Sequence, residues 1–241
     1  LKKIVNKEDS CTHVPNHIPN SVAFYGHPEW RTIFFRYGDF NAVKGVTFHV
    51  KNGECFGLLG VNGAGKTSTF QMLTGENDIT EGDAFVNGWS VKTDWKKAGA
   101  NLGYCPQFDA VLKEMTGEET LYMFARIRGI PKAEIPEKLR NHVEAVIHTI
   151  GIGIYAKRQI KGYSGGNKRR LSLGIALLGL PPVLFLDEPT TGVDPKARRI
   201  IWNIFSRVRF KCSLDDFRRS VHFCKLMKTV EGSVFRTIRI F

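Results

Sequence analysis

Apolar and polar positions along the chain follow two different periods. Runs with the character of short strands lie at Thr32–Tyr37, Val46–Val50, Glu54–Leu59, Gly82–Val86, Asn101–Tyr104 and Val183–Leu186. Helical spacing is found at Lys66 to about Leu73, Glu118–Ile127, Lys132–Ile150 and Ser164 to about Leu178. Strands that alternate with helices predict an α/β fold, in which helices cover both faces of a parallel sheet.

The two ends of the chain lack these patterns. Residues 1–29 mix Asn, His, Pro and Lys without a period, and we interpret them as a loose leader with order beginning near Trp30. Arg207–Arg219 is basic and polar and contains no run typical of a buried strand. We therefore predict one domain over residues 30–205, followed by a divergent basic tail over residues 206–241.

Composition excludes several classes of protein. Hydrophobic residues make up 42% of the 241 residues and charged residues 24%, which is typical of globular proteins. The five cysteines form no Cys-x-x-Cys pair, which favours a reducing compartment and argues against a disulfide framework or a zinc site. The longest apolar stretch, Ile175–Leu186, contains two prolines and is shorter than the roughly 20 residues of a bilayer crossing. We expect no transmembrane segment and no signal peptide here, and a chain that starts at Leu1 is expected to belong to something longer.

The net charge of +12 first suggests a nucleic-acid or anionic-membrane surface. Residues 206–241 contain nine Lys or Arg and three Asp or Glu, a net charge of +6, so they hold half of the excess. A solvated tail explains this distribution as well as a binding face does. We predict no nucleic-acid partner.

Gly60–Thr67 fits the pattern G-x-x-x-x-G-K-[ST] between a predicted strand and a predicted helix. Its glycines let the backbone N–H groups point inward at a helix N-terminus, where phosphate is favoured. Lys66 is expected to reach the β and γ phosphates of ATP and Thr67 to ligate Mg²⁺. The alternative, a flexible glycine-rich turn, fits this context poorly. The predicted nucleotide-binding residues of this loop are Gly60, Asn62, Gly63, Ala64, Gly65, Lys66, Thr67 and Ser68.

The apolar run Val183–Leu186 ends in two carboxylates, Asp187 and Glu188. Ligands of open α/β sheets lie beyond the carboxyl ends of the strands, so these acids are expected at the same crevice as the phosphate loop. Asp187 is predicted to bind Mg²⁺, and Glu188 to orient and deprotonate the attacking water. An acidic pair after a strand can also be a helix N-cap. The phosphate loop elsewhere in the chain favours the site.

Tyr163–Arg170, with the sequence Tyr-Ser-Gly-Gly-Asn-Lys-Arg-Arg, resembles the signature motif of ABC ATPases, and Leu186–Gly192 follows it at the family's distance. Over about Trp30–Ser206 the chain resembles the nucleotide-binding domain of an ABC transporter, most closely of the A subfamily of lipid transporters. The resemblance implies a P-loop NTPase fold with a mostly parallel core sheet, an antiparallel β subdomain and an α-helical subdomain. The helical subdomain, about residues 108–162, would receive the transmembrane partner.

Two further residues acquire roles only through this resemblance. Tyr37 matches the aromatic residue that stacks on adenine, and Gln107 matches the glutamine that touches Mg²⁺ and the attacking water. Each also has a plainer interpretation. Tyr37 can be a strand aromatic that packs in the core beside Phe34 and Phe35, and Gln107 can be a loop residue after Pro106.

The resemblance also implies contacts across a dimer. Ser164, Gly165 and Gly166 act in trans, offering a hydroxyl, backbone N–H groups and a helix N-terminus to the γ-phosphate held by the opposite subunit. Asp194 matches the loop that couples the two sites.

The function implied is hydrolysis of ATP to ADP and phosphate, which powers transmembrane transport, with lipids as the cargo. Its cofactors are ATP and Mg²⁺, and its catalytic residues are Glu188, Gln107 and Lys66. The partners are transmembrane domains and a second nucleotide-binding domain in a head-to-tail sandwich, at the cytoplasmic face of a membrane. The alternatives are a catalytically impaired nucleotide-binding fragment and, because of the charge, a soluble ABC protein that works on ribosomes or DNA.

The match to the family fails after Phe205. The family continues with an apolar strand that ends in Ser-His, and we recognise no such strand here, so we expect the sheet to lack a strand beside Asp187. His222 lies near the expected distance for the switch histidine, but no apolar strand precedes it. We interpret it rather as a surface histidine, and nucleotide binding is better supported than hydrolysis.

Overall fold

The structure is a computed structural model that describes residues 22–25, 33–50, 55–61, 63–108, 111–130, 136–210, 224–228 and 236–240. Asn62 and His222 lie outside these ranges. The strands are β1 (Val22–Tyr25), β2 (Ile33–Tyr37), β3 (Phe40–Val46), β4 (His49–Val50), β5 (Cys55–Gly60), β6 (Asp83–Val86), β7 (Trp89–Ser90), β8 (Leu102–Cys105), β9 (Val183–Asp187), β10 (Cys224–Lys228) and β11 (Arg236–Ile240). The helices are α1 (Lys66–Thr74), α2 (Trp95–Ala100), α3 (Gly117–Ile127), α4 (Pro136–Ile150), α5 (Gly165–Leu177) and α6 (Pro195–Phe210), with a 3₁₀ turn at Ile160–Gly162.

The core sheet has five strands in the order β11-β5-β10-β9-β8, and every neighbouring pair is parallel. All five residues of β9 are buried, as expected for a strand inside a parallel sheet. Leu184 and Leu186 pack with helices α3 to α6, whereas Val183 and Phe185 pack on the opposite face with α1 and the antiparallel strands. The predicted parallel sheet with both faces covered is confirmed.

A second, antiparallel region precedes and follows α1 in the sequence. Strands β4-β1-β6-β7 form one sheet, and β2 and β3 form a hairpin around the Gly38–Asp39 turn. The predicted antiparallel subdomain is confirmed, but the predicted strand Val46–Val50 has the wrong bounds, because β3 ends at Val46 and β4 is His49–Val50. Most of β3 is not predicted from the sequence, because Val43 is its one buried residue and its period of two is therefore weak.

Helices α3 and α4 pack against α5 and form the predicted helical subdomain. A capping box fixes the start of α3. The Glu119 amide donates to Thr116 Oγ1 at 3.2 Å, and the Thr116 amide donates to Glu119 Oε2 at 2.8 Å. Among the helices that the structure describes, none is both long enough and apolar enough to cross a membrane.

One hydrogen bond between α4 and the end of α5 predicts a dependence on pH. His142 Nε2 accepts from the Gly179 amide at 3.0 Å, and burial lowers the pKa of His142 below its ordinary value of 6.5. The neutral imidazole is therefore favoured in the folded state, so its stabilisation is present above about pH 6.5 and is lost as the pH falls through the lowered pKa.

We expect the thermal unfolding midpoint of the chain to fall more between pH 7.5 and pH 5 than that of a His142→Gln variant. Glutamine keeps a hydrogen-bond acceptor but does not titrate in this range. Equal shifts in the two proteins would show that His142 is not the group responsible.

The structure corrects the prediction that the sheet lacks a strand beside Asp187. Strand β10 lies between β5 and β9, and its last residue, Lys228, pairs with both Leu58 and Asp187. The sequence does not predict β10, because central parallel strands are normally continuous apolar runs, whereas this one has two lysines in five residues.

Two further elements extend beyond the predicted domain of residues 30–205. Helix α6 continues through Phe205 to Phe210, and β1 lies within the stretch predicted as a loose leader. The boundaries at residues 30 and 205 remain predictions.

Candidate nucleotide-binding site

The loop between β5 and α1 curls tightly onto the N-terminus of the helix. Gly63 and Gly65 have φ angles of 84° and 82°, in the left-handed region that favours glycine. A Cβ atom at Gly65 would lie 2.7 Å from the carbonyl oxygen of Ala42, so a side chain fits there only if the backbone shifts. Gly63 therefore meets a need for backbone conformation, and Gly65 meets a need for both conformation and space.

Lys66 lies inside this loop. Its side chain is only 5% exposed, and its Nζ donates to the carbonyl oxygens of Gly60 at 2.5 Å and Val61 at 2.8 Å. The loop thus folds around an ammonium group at the positive end of α1, whose first turn contains no acidic residue. Thr67, the next residue, is exposed, and Ser68 is partly buried.

The register of the core sheet brings the phosphate loop and the acids to one edge. Because Lys228 pairs with both Leu58 and Asp187, the end of β9 is level with a residue just before Gly60. Neighbouring strands are about 4.8 Å apart, which puts the backbones of Leu58 and Asp187 roughly 10 Å apart across β10. On the other side of β9, Cys105 pairs with Leu186, so Gln107 also follows the carboxyl end of a strand at this edge.

Glu188 has an unusual backbone and two donors on one carboxylate oxygen. Its φ angle is 46°, a conformation that costs energy for any residue with a side chain. Gln107 Nε2 donates to Glu188 Oε2 at 3.1 Å, and Thr191 Oγ1 donates to the same atom at 3.2 Å. Gln107 is therefore more than a loop residue, since it contacts the predicted catalytic carboxylate directly.

The alternative that the acidic pair caps a helix is wrong. The next helix, α6, begins at Pro195, and Asp194 Oδ1 accepts from the Ala197 amide at 2.9 Å in its first turn. The cap of α6 is thus provided by Asp194, seven positions after Asp187.

Asp187 is 4% exposed at the end of β9. Tyr104 lies on the neighbouring strand β8, where burial raises its pKa to about 12 and the charge of Asp187 adds to the shift. The phenol therefore stays protonated at neutral pH. Tyr104 is not among the residues predicted from the sequence, although it lies one residue before the end of β8 and therefore next to the site.

The donors at this edge suit Mg²⁺. A carboxylate from Asp187, a hydroxyl from Thr67 and an amide oxygen from Gln107 are hard oxygen ligands, and Mg²⁺ typically takes one or two carboxylates together with phosphate oxygens. Within the described part of the chain, no group of three or more His, Cys, Asp or Glu side chains can hold a metal.

The signature residues form the N-terminus of α5. Ser164 Oγ accepts from the Asn167 amide at 3.3 Å, and both Ser164 and Gly165 are exposed to solvent. Gly166 is buried, and a Cβ there would lie 2.7 Å from Ala197 Cβ and 3.4 Å from Asp194 Oδ2. The structure thus brings Asp194 next to the signature motif, while the tip of α5 faces outward.

Tyr37 lies at the end of β2 and is 52% exposed, whereas Phe35 is 6% exposed. The interpretation of Tyr37 as a core aromatic is therefore wrong. Its hydroxyl accepts from Asn77 Nδ2 at 3.3 Å, just beyond α1. The stacking on adenine remains a prediction.

Two residues whose contacts with the acids the sequence did not reveal are Thr191 and Arg169. Thr191 donates to the Glu188 carboxylate, and Arg169 Nη2 donates to the Asp187 carbonyl oxygen at 2.6 Å. Arg169 lies within the motif Tyr163–Arg170 and Thr191 within Leu186–Gly192, so membership of these motifs is the sequence feature that indicates them.

Several known proteins have sequences similar to this chain. A rat protein named phospholipid-transporting ATPase ABCA3 is 54% identical over 168 residues, 70% of this chain and 10% of its own length. A mouse protein named ATP-binding cassette sub-family A member 17 is 55% identical over the same shares of the two chains. The human retinal-specific phospholipid-transporting ATPase ABCA4 is 55% identical over 163 residues, 68% of this chain and 7% of its own. The chain thus spans about a tenth of the length of these relatives.

Solved structures show the same fold. The ATP-binding subunit of an ABC transporter has a TM-score of 0.70 at 23% identity, covering 86% of this chain and 78% of that one. A dimeric ATP-binding cassette in a post-hydrolysis state, bound to ADP and phosphate, has a TM-score of 0.70 at 18% identity, covering 86% and 87%. The fold is that of an ABC ATPase. The family model described as ABC transporter matches residues 43–191, more than half of the chain and all of the phosphate loop, signature motif and acids, so this chain belongs to the ABC transporter family.

Proposed function

We propose that this chain binds ATP with Mg²⁺ and hydrolyses it to ADP and phosphate as the nucleotide-binding domain of a membrane transporter. The observation that carries the proposal is the shared edge of the core sheet. There the phosphate loop around Lys66, the Asp187–Glu188 pair and Gln107 follow the ends of three parallel strands.

Binding begins at the phosphate loop. The N–H groups of the loop and of the first turn of α1 favour an anion, and Lys66 adds a full positive charge. In the structure this ammonium donates to two loop carbonyls. We expect it to turn from them to the β and γ phosphates when ATP enters, while Tyr37 stacks on adenine.

Hydrolysis needs a base beside the γ-phosphate. Glu188 is the candidate, and the donors Gln107 and Thr191 hold its carboxylate in one orientation. Thr67, Gln107 and Asp187 would hold Mg²⁺, which when bound neutralises charge on the β- and γ-phosphate oxygens.

The exposed N-terminus of α5 favours the proposal that the chain works with a second subunit. Ser164 and Gly165 face solvent, as a group that acts on the nucleotide of a partner must. A head-to-tail sandwich of two nucleotide-binding domains is in line with the dimer among the similar structures. Asp194, packed beside Gly166, would couple the two sites.

The surface of the helical subdomain favours the proposal that the chain binds a membrane partner. Its outer surface carries an open groove whose lining includes Met115, Tyr122 and Ile127, and Ile127 is a large exposed hydrophobic residue. We propose that transmembrane domains dock at this subdomain, on the cytoplasmic face of a membrane. Phospholipids or related lipids are the proposed cargo, after the names of the relatives.

Steady-state release of phosphate from Mg²⁺-ATP tests this function. Turnover by the chain above that of a Glu188→Gln variant supports hydrolysis. ATP binding with no turnover above that variant favours the alternative, a catalytically impaired nucleotide-binding fragment.

We expect Tyr37→Ala to weaken ATP binding about tenfold, because stacking of a base on an aromatic side chain contributes about 1–3 kcal/mol. Phe40, its exposed partner across the hairpin, provides the matched control. Equilibrium titrations should show Phe40→Ala close to the native affinity. The reverse order of the two variants would move the adenine platform to Phe40.

A further inference from the structure

Arg169, near the start of α5, is 4% exposed, and its guanidinium lies among two loops that leave the core sheet. It donates to five backbone carbonyl oxygens: Pro189 at 3.0 Å from Nε, Gln107 at 3.1 Å and Pro106 from Nη1, and Asp187 at 2.6 Å and Glu188 at 3.0 Å from Nη2. One side chain therefore joins the segment after β8 to the segment after β9.

Only a guanidinium fits this arrangement well. It carries five N–H donors in one rigid plane, whereas a lysine ammonium has three donors on a flexible stem. The many carbonyl dipoles also compensate the burial of the charge. The contacts of Arg169 therefore require the geometry of a guanidinium and not only its positive charge.

The carbonyls that Arg169 holds surround the strained residue of the site. A non-glycine residue in the left-handed region costs about 1–3 kcal/mol and persists when its surroundings fix it. Glu188 has a φ angle of 46°, and Arg169 binds its carbonyl oxygen and those of Asp187 and Pro189 on either side. Arg169 therefore secures the backbone conformation from which the Glu188 carboxylate projects.

The same guanidinium fixes the other partner of the Glu188 carboxylate. Gln107 Nε2 donates to Glu188 Oε2, and the carbonyl oxygen of Gln107 accepts from Arg169 Nη1. Arg169 is thus connected to both residues of this hydrogen bond.

We propose that Arg169 is a positioning residue for ATP hydrolysis. It holds the backbones of Gln107 and Glu188 so that the carboxylate of Glu188 faces the attacking water, and it ties both to α5, whose N-terminus carries Ser164. This inference rests on the proposed ATPase function. Arg169 acts through Glu188 and Gln107 rather than on the nucleotide, so its effect is expected on turnover and not on ATP binding.

Arg169→Met tests the proposal in the full 241-residue chain. We expect kcat to fall about 100-fold, because a displacement of about 1 Å in a catalytic group costs on that order. The KM and the dissociation constant for ATP should stay within about threefold of native values. Arg169→Lys should recover part of kcat, because it restores the charge and some of the donors.

Arg128→Met is the matched control. Arg128 ends α3 in the helical subdomain and is partly buried, and burial lowers the pKa of its guanidinium. It lies beside Gly179, beyond the end of α5 that is opposite the signature motif. Its loss should lower the unfolding midpoint, while kcat stays within about threefold.

Three results would overturn the proposal. The first is a kcat for Arg169→Met within about threefold of native, and the second is an equal loss of kcat in Arg128→Met. Hydrogen exchange on the same variants needs no turnover: Arg169→Met should speed exchange around Gln107 and Glu188, and unchanged exchange there would also overturn the proposal. If the native chain itself releases no phosphate, the proposed function fails, and the exchange result still decides whether Arg169 holds these segments.

Discussion

Replacing Lys66 with alanine is expected to weaken ATP binding by about 2–5 kcal/mol, which is about 30-fold or more. The lysine ammonium lies inside the phosphate loop, where it donates to the carbonyl oxygens of Gly60 and Val61. A triphosphate is a far better partner for a buried positive charge than neutral carbonyl oxygens. When the ammonium of Lys66 is removed, only the loop amides and the N-terminus of α1 remain to bind the phosphates.

An equilibrium titration with a fluorescent ATP analogue measures this loss. Lys44→Ala is a suitable control, because it removes the same charge from an exposed position on β3, next to α1. Native affinity in Lys66→Ala, or an equal loss in Lys44→Ala, would refute the assignment of the loop as the phosphate site.

Glu188→Gln is expected to lower kcat for ATP hydrolysis by about 10²–10⁴-fold and to leave ATP binding nearly unchanged. The substitution keeps the size of the side chain and its place in the strained turn but removes the group that takes the proton from water. An amide can still accept from Gln107 or Thr191, so the local hydrogen bonds survive.

Phosphate release and ATP affinity should be measured on the same preparation. Glu144→Gln, an exposed substitution on α4 beside Arg140, makes the same chemical change away from the site and should keep native turnover. If Glu188→Gln retains native kcat, another group is the base.

The parts of the fold with a strong local signal could be predicted from the sequence. Val183–Leu186 is a buried strand because it is uninterrupted and apolar, and the glycines of the phosphate loop are fixed by backbone angles that few other residues adopt. The order strand, loop and helix then places Lys66 at a helix N-terminus. The convergence of this loop with Asp187 follows from the general behaviour of parallel sheets.

The rest depends on tertiary contacts that leave little trace in the sequence. Strand β10 takes its place between β5 and β9 although its residues do not form the apolar run expected there. The role of Arg169 depends on five carbonyls from two segments that are about 60 and 20 residues away in the chain. No periodicity in the sequence reports such contacts.

A crystal structure of the Glu188→Gln variant with ATP and Mg²⁺ tests the central claim most directly. We expect the γ-phosphate within hydrogen-bond distance of Lys66 Nζ, the metal on the Asp187 side of that phosphate, and residue 188 facing the same phosphate. A nucleotide bound away from the Gly63–Lys66 amides, or a metal remote from Asp187, would contradict the account.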